Sequence, residues 1–405
     1  MDTLKRFGAI STALMLTVAL AACSKSNTSG GGATPTETQT SSAPISISAD
    51  SFTADFSAMK QLTSLASSGT GMIGVLLPDT TTSTRYVTYD APYLTQAFEA
   101  AGLSSDQFKI DNAQGSASTM QTQAEADITA GASVLLVDPL DSGSGAAIEA
   151  NAAAKGVKVI EYDRLTLGGP ADGYYVSFDN VSVGKLIGQG EVDCISSWGV
   201  KSPNILIMDG DPSDNNAKLF AQGYNSVLKS HFADGSYTKV GEPAGTWTPS
   251  VAATTFEQQY TAHPEINAVV TPNDDNAGAV IAVLQKNQIP ANTFPTTGQD
   301  ASLVGLQNIL KGFQCGTVYK PIYLEAQAAA ALALFLRAGQ TPPSELVNAT
   351  TLDSQTNSQI ASVYTVPLWV TTDNMAATVV ADGAVKVADL CAGSVASACS
   401  AAGIS

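Results

Sequence analysis

From Met72 onward, short apolar runs alternate with alanine-rich segments of helical period, and this rhythm limits the possible folds more than any other feature of the chain. The runs are MIGVLL, SVLLVDP, VKVIEYD, NILIMDG, INAVVTPN and CGTVYKP, separated by segments such as APYLTQAFEAAG, GAAIEANAAAKG and AGAVIAVLQKNQ. A strand that is apolar on both faces needs helices packed on both sides, so the alternation predicts an α/β fold of doubly wound parallel sheets. About ten strands and roughly 330 residues are more than one sheet and one core hold comfortably, so two lobes are expected.

The first lobe is expected over residues 71–173, and a crossing at YYVSFD leads into a second lobe over 174–319. At VYKP the chain crosses back, places the long helix EAQAAAALALFLRAG on the first lobe within 320–365, and crosses a third time near VPLWV. Residues 366–405 then complete the second lobe.

The N-terminus specifies an address. Lys5 and Arg6 precede an apolar run over 7–20 and then Leu20-Ala21-Ala22-Cys23. Such a run fits a signal peptide over 1–22 better than a spanning helix, which needs about 20 apolar residues. The small residues before Cys23 resemble a bacterial lipoprotein signal, which implies cleavage there, a diacylglycerol on the Cys23 sulfur and anchoring outside the cytoplasm, at the cell surface or in a periplasm. Residues 23–50, rich in Ser, Thr, Gly and Pro, predict a flexible tether. Phe52, Phe56, Met59, Leu62 and Leu65 recur at helical spacing and predict a short helix packed on the body.

A net charge of -17 excludes nucleic-acid binding, which needs clustered Lys and Arg. Beyond Cys23 there are four cysteines, which allow three pairings; Cys391 with Cys399, close in sequence, is preferred and leaves Cys194 with Cys315. No CxxC occurs, so a zinc site is not expected; no other metal and no cofactor is expected either.

Several motifs fail on context. Gly69-Thr70-Gly71-Met72-Ile73-Gly74 spells GxGxxG but leads into a strand, whereas a dinucleotide loop follows one and opens a helix. GDPSDNNAKLF can be tried as a calcium loop, yet Asp214 falls where glycine is needed and Phe220 where the bidentate glutamate belongs. With only His231 and His263, both in bland contexts, a Ser/His/Asp triad has little support. Asp163, Asp214, Asp274 and Asp300 leave open a pair of carboxylates for glycoside hydrolysis.

Position within the fold is more informative. Ligands of open parallel sheets bind beyond the carboxyl ends of the strands. The polar and aromatic residues there are Arg85, Tyr86, Asp163, Arg164, Asp214, Asn215, Asn216, Lys218, Trp247, Asn273, Asp274, Gln299, Asp300 and Lys320, drawn from both lobes. Asp accepts from a sugar hydroxyl while Arg, Lys and Asn donate to its lone pairs, and Tyr86 and Trp247 can cover the CH faces of a pyranose. A phosphate would demand more cations and fewer carboxylates. Asp211, Asp275 and Asn276 read as helix caps, and Asp214 or Asn215 could equally cap the helix that follows.

At these residues the sequence resembles the periplasmic xylose-binding and multiple-sugar-binding proteins of ATP-driven (ABC) importers. The matching stretches are TRYV, IEYDR, YYVSFDNVSVGKL, DPSDNNAKLF, VVTPNDDNAGAV, TGQDASLVGLQNILKG and TVYKPI. The resemblance implies two lobes joined by three strands, a periplasmic binding protein fold of type I, that close on one monosaccharide and deliver it to a membrane permease. It also implies a monomer without catalytic activity, and it assigns the fourteen residues above as sugar contacts. Tyr86 stands where the xylose binder has Trp, which weakens any claim to xylose itself. A sugar sensor that presents its closed form to a receptor is the alternative, with a tethered glycoside hydrolase behind it; the export signal counts against a repressor effector domain.

Overall fold

The computed structural model describes residues 45–405; the expected signal peptide, Cys23 and most of the expected tether lie outside them. Twelve strands are found there: β1 Met72–Leu77, β2 Phe108–Asn112, β3 Ala132–Val137, β4 Lys158–Tyr162, β5 Tyr174–Phe178, β6 Asn204–Ile207, β7 Thr238–Gly241, β8 Ala268–Val270, β9 Thr317–Tyr319, β10 Ala349–Asp353, β11 Ser358–Thr365 and β12 Leu368–Val370.

The first sheet has seven strands in the order β10-β11-β5-β4-β3-β1-β2. All its pairings are parallel except β10 with β11. Its central strands are buried on both faces, as their unbroken apolar runs require. One face packs on the helix Ile322–Arg337, whose Ala326 and Ala328–Leu334 are all fully enclosed with Ile73, Val75 and Ile160 in one core. Here the alanines let the helix lie close against the strands.

The second lobe departs from the single parallel sheet that was expected. β7, β6 and β8 form a parallel set, and β9 pairs antiparallel with β12. The two pieces are joined through the irregular stretch 294–300, by single bridges of Val269 with Thr296 and Gln299 with Val318. Asp300 and Ala301 have φ of 95° and 50°, so the backbone there cannot continue as a strand. Three connections cross between the sheets: β5 into the helix Asn180–Ser197, β9 into the helix Ile322–Arg337, and β11 into β12.

Helices Asn180–Ser197 and Asn215–Ala233 touch backbone to backbone in the second lobe, because a Cβ at Gly184 would collide with the Phe220 backbone. Disulfides join Cys194 to Cys315 and Cys391 to Cys399.

Two expectations at the N-terminal end are corrected. Ile47 and Ala49 are buried in the first core, so the tether was drawn too far toward its C-terminal end; Ile45 and Ile47 give this segment apolar surface to bury. Phe52, Phe56, Met59, Leu62 and Leu65 are all buried as expected, but not on one helix. Phe56 has φ of 57°, which blocks a helix before it, and a 3-10 segment Ser57–Leu62 then leads into the α-helix Thr63–Ser68.

Candidate functional site

Where the carboxyl ends of the two lobes' strands face each other, they line a narrow cleft with a cavity volume of about 20 Å3, room for about one water. Eleven of the fourteen expected residues line it: Arg85, Tyr86, Asp163, Arg164, Asp214, Asn216, Trp247, Asn273, Gln299, Asp300 and Lys320. Ser83 and Phe220 line it as well and were not anticipated. A larger hollow of about 250 Å3 beside Glu149 and Lys158 gathers no such set of buried cations and carboxylates.

Arg85 is the hub on the first-lobe side, in a loop that enters a π-helical turn, Tyr86–Asp90. Its Nε and Nη2 donate to the two oxygens of Asp90 at 3.0 and 2.7 Å, Nη1 donates to Asp163 Oδ1 at 2.8 Å, and Nη2 also donates to Glu325 Oε2 at 2.9 Å. Four of the five guanidinium N–H groups are thus committed, which leaves one on Nη1 for a ligand. Burial pushes the Glu325 carboxyl up to about 8 despite Arg85, because one guanidinium serves three carboxylates.

Asp163 ends β4 with φ of 57°, a strained conformation of the kind that structures retain at binding sites. Burial alone would raise its carboxyl, but Arg85, Lys320 and Arg164 outweigh that and hold it well below the usual range. It therefore stays ionised and is unsuited to be a general acid. Tyr86 donates its hydroxyl to Asp163 Oδ2 at 3.2 Å and accepts from Arg164 Nη2 at 3.0 Å. Lys320 Nζ lies 3.4 Å from Asp163 and 3.6 Å from Asp300, tying the two strained aspartates together.

The second lobe presents Asp214, Trp247, Phe220 and Asn273. Asp214 accepts from the Asn216 backbone N–H at 2.8 Å and from Trp247 Nε1 at 3.1 Å, so it caps its helix and fixes the indole at once. Trp247 meets Phe220 edge-on with ring centres 6.5 Å apart, forming an aromatic corner. A Cβ at Gly210 would run into the indole, which explains why glycine stands there.

The lobes touch directly, so this is a closed form. Asn216 Nδ2 donates to the Asp163 carbonyl at 3.0 Å, Arg164 Nε lies 3.2 Å from Asp214 Oδ2, and the Thr84 N–H donates to Asp275 Oδ2 at 3.1 Å.

Three expected contacts fall outside the cavity. Lys218 is exposed, because it sits on the solvent face of the helix Asn215–Ala233. Asn215 is buried in the first turn of that helix but does not face the cleft. Asp274 is turned inward, accepting from the Ser302 N–H at 2.7 Å, Gln314 Nε2 at 2.7 Å and Thr317 Oγ1 at 2.8 Å. Of the four carboxylates considered for glycoside hydrolysis, Asp274 faces away from the cleft, while Asp163, Asp214 and Asp300 line it.

The expected caps are corrected too. Asp211 closes a local turn on Ser213, Asp275 bridges to Thr84, and Asn276 Nδ2 donates to the Thr246 carbonyl at 2.8 Å; Asn273 caps instead, and Asp214 caps its helix, one of the two alternatives expected.

Asp274 gives a clear prediction. Replacing it by alanine strands three buried donors, and about 3 kcal/mol of stability should be lost at about pH 4 by urea unfolding. Burial pushes its carboxyl up to about 7, above its ordinary value. Its contribution is therefore complete below about pH 4 and is lost as pH rises toward 7, so the deficit of Asp274→Ala should shrink over that window. Normal stability with ligand binding abolished would instead make Asp274 a direct contact.

Residues 73–341 match the model of the periplasmic binding protein domain. The chain is 35% identical over 283 residues to the D-xylose-binding periplasmic protein of Escherichia coli, covering 69% of this chain and 82% of that one. The multiple sugar-binding periplasmic receptor of Rhizobium radiobacter is 29% identical over 303 residues, covering 70% and 82%. Among solved structures, an ABC transporter solute-binding protein from Clostridium phytofermentans with bound β-D-glucose superposes with a TM-score of 0.70 at 25% identity, over 79% of this chain and 99% of that one. A carbohydrate transporter solute-binding protein from Chloroflexus aurantiacus in complex with D-glucose gives a TM-score of 0.69 at 27% identity, over 78% and 97%. With two α/β lobes closed over a polar cavity at their strand ends, the chain belongs to the periplasmic binding protein family, has the type I fold, and is a binding protein rather than an enzyme.

Proposed function

We propose that the protein is the sugar-binding component of an ABC importer, taking one monosaccharide, a xylose-like pentose or a related aldose, into the cleft between its lobes. The observation that carries this reading is a cleft to which both lobes contribute buried charged and aromatic side chains. Cations and carboxylates alternate around it, which suits a neutral ligand whose every hydroxyl both donates and accepts. Relatives named for xylose and for multiple sugars, and neighbours holding glucose, support the same class.

In this reading the cleft residues contact the sugar, with Trp247 and Phe220 against its CH face. The lobes are 71–173 with 320–365 and 174–319 with 366–405, and they close as the sugar binds. A monomer delivers it to the permease. Lipidated Cys23 anchors the chain outside the cytoplasm; among the described residues no helix is long and apolar enough to cross a membrane.

A thermal-shift panel of D-xylose, L-arabinose, D-ribose, D-glucose and D-galactose tests the proposal. A sugar at 100 times its dissociation constant should add about 2.7 kcal/mol to stability. A flat panel would contradict it.

A further inference from the structure

Asp138 directly follows β3, in Val137-Asp138-Pro139, and is fully enclosed. Neither of its carboxyl oxygens has a hydrogen-bond partner, and its one ionic neighbour is Arg164 Nε at 3.5 Å. The same Nε lies 3.2 Å from Asp214 Oδ2. Nε carries a single hydrogen, so it cannot serve both acceptors at once, and in the closed cleft it lies nearer Asp214 while both Asp138 oxygens stay without a donor. The remaining Arg164 contacts stay within the first lobe, from Nη1 to the Pro139 carbonyl at 3.3 Å and from Nη2 to the Tyr86 hydroxyl at 3.0 Å.

Asp138 and Arg164 both follow strands of the seven-stranded sheet, whereas Asp214 follows β6 of the other lobe. Separating the lobes withdraws Asp214, frees the Nε hydrogen and leaves Asp138 as its acceptor. Closing the cleft brings Asp214 back beside Nε and leaves Asp138 without a donor. The charge balance of the closed cleft is already unfavourable: Arg85, Arg164 and Lys320 are enclosed with six carboxyl groups, those of Asp90, Asp138, Asp163, Asp214, Asp300 and Glu325. The groups that face Asp138 itself are Arg164, Asp163, Arg85, Asp90 and Tyr86. Burial raises its carboxyl far more than Arg164 lowers it. A buried carboxylate without a donor is relieved by taking up a proton.

We propose that Asp138 is a positioning residue that holds Arg164 in the open cleft and takes up a proton as the cleft closes, so that ligand affinity rises as pH falls. The proposal rests on the sugar-binding reading above. The sign follows from linkage: the closed form holds this proton more tightly than the open form. Affinity is therefore fully expressed below the ordinary aspartate range and declines as pH rises above it, by at most about tenfold per pH unit for one proton.

The test is calorimetric titration of the full chain with D-xylose and D-glucose between about pH 5 and about pH 8, for the parent, Asp138→Asn and a control, Asp211→Asn. The parent and the control should bind about tenfold or more weakly at the upper end than at the lower. Asp138→Asn should flatten that slope and bind about tenfold more tightly than the parent near pH 7.5. An unchanged slope in Asp138→Asn overturns the proposal, as does binding more than about tenfold weaker at every pH with normal thermal unfolding. Should Asp138→Asn fold poorly, parent titrations in two buffers of different ionisation enthalpy decide: proton uptake on binding supports the proposal, and release or no exchange overturns it. Failure of both sugars to bind any variant at any pH would overturn the sugar-binding reading, and this proposal with it; the other failures leave that reading standing.

Discussion

Arg85→Leu should unfold with a stability loss of at least about 3–5 kcal/mol, among the largest effects expected of any single substitution here. Leucine retains much of the volume and removes the one cation in contact with Asp90, Asp163 and Glu325 together. Asp90 keeps the Tyr162 hydroxyl at 2.6 Å and Asp163 keeps Lys320, but Glu325 has no other ion pair. The defect should be worst at high pH. Burial already pushes the Glu325 carboxyl up to about 8 in the parent, and without Arg85 it rises further while Asp163 loses the largest influence that holds it low. Their protonation in the folded state then restores stability as pH falls. Urea unfolding of parent and variant at about pH 5 and about pH 8 checks this; equal losses at both would mean that Arg85 acts through packing rather than charge.

The second large effect is on binding. Arg164→Ala should lose stability without sugar, since Asp138 and Asp214 lose their cation, and should also lose the sugar-dependent gain of about 2.7 kcal/mol expected at 100 times the dissociation constant. Arg164 lines the cavity, reaches Asp214 across the cleft and orients the Tyr86 hydroxyl. Without it, closure loses its ionic link between the lobes and Asp138 loses its cation. A variant stabilised by sugar as strongly as the parent would remove Arg164 from the site.

The residues differ in how plainly the sequence announced them. Strands β1, β3 and β4 are legible because both their faces are buried, leaving unbroken apolar runs. Strand β2, Phe-Lys-Ile-Asp-Asn, is an edge strand paired only with β1, so it shows no such run and was passed over. The rule that polar residues follow strand ends brought eleven cavity residues forward, and its failures are instructive. Asn273 and Asp274 are neighbours, yet one helical step turns Asn273 to the cleft and Asp274 to Ser302, Gln314 and Thr317. No local pattern encodes that choice, since it depends on segments about 30 to 40 residues away. Phe220 carried a usable signal, lying four positions after Asn216 on one helix face. Asp138, directly after β3, satisfies the same strand-end rule as Asp163 and was within its reach.

The central claim is that the interlobe cleft is a monosaccharide site, and isothermal titration of the purified protein with the five aldoses tests it most directly. The account predicts saturable heat for at least one of them, with one site per chain, and no heat for the same sugar with Arg164→Ala. No heat for any aldose with correctly folded protein, or undiminished binding by Arg164→Ala, would contradict it.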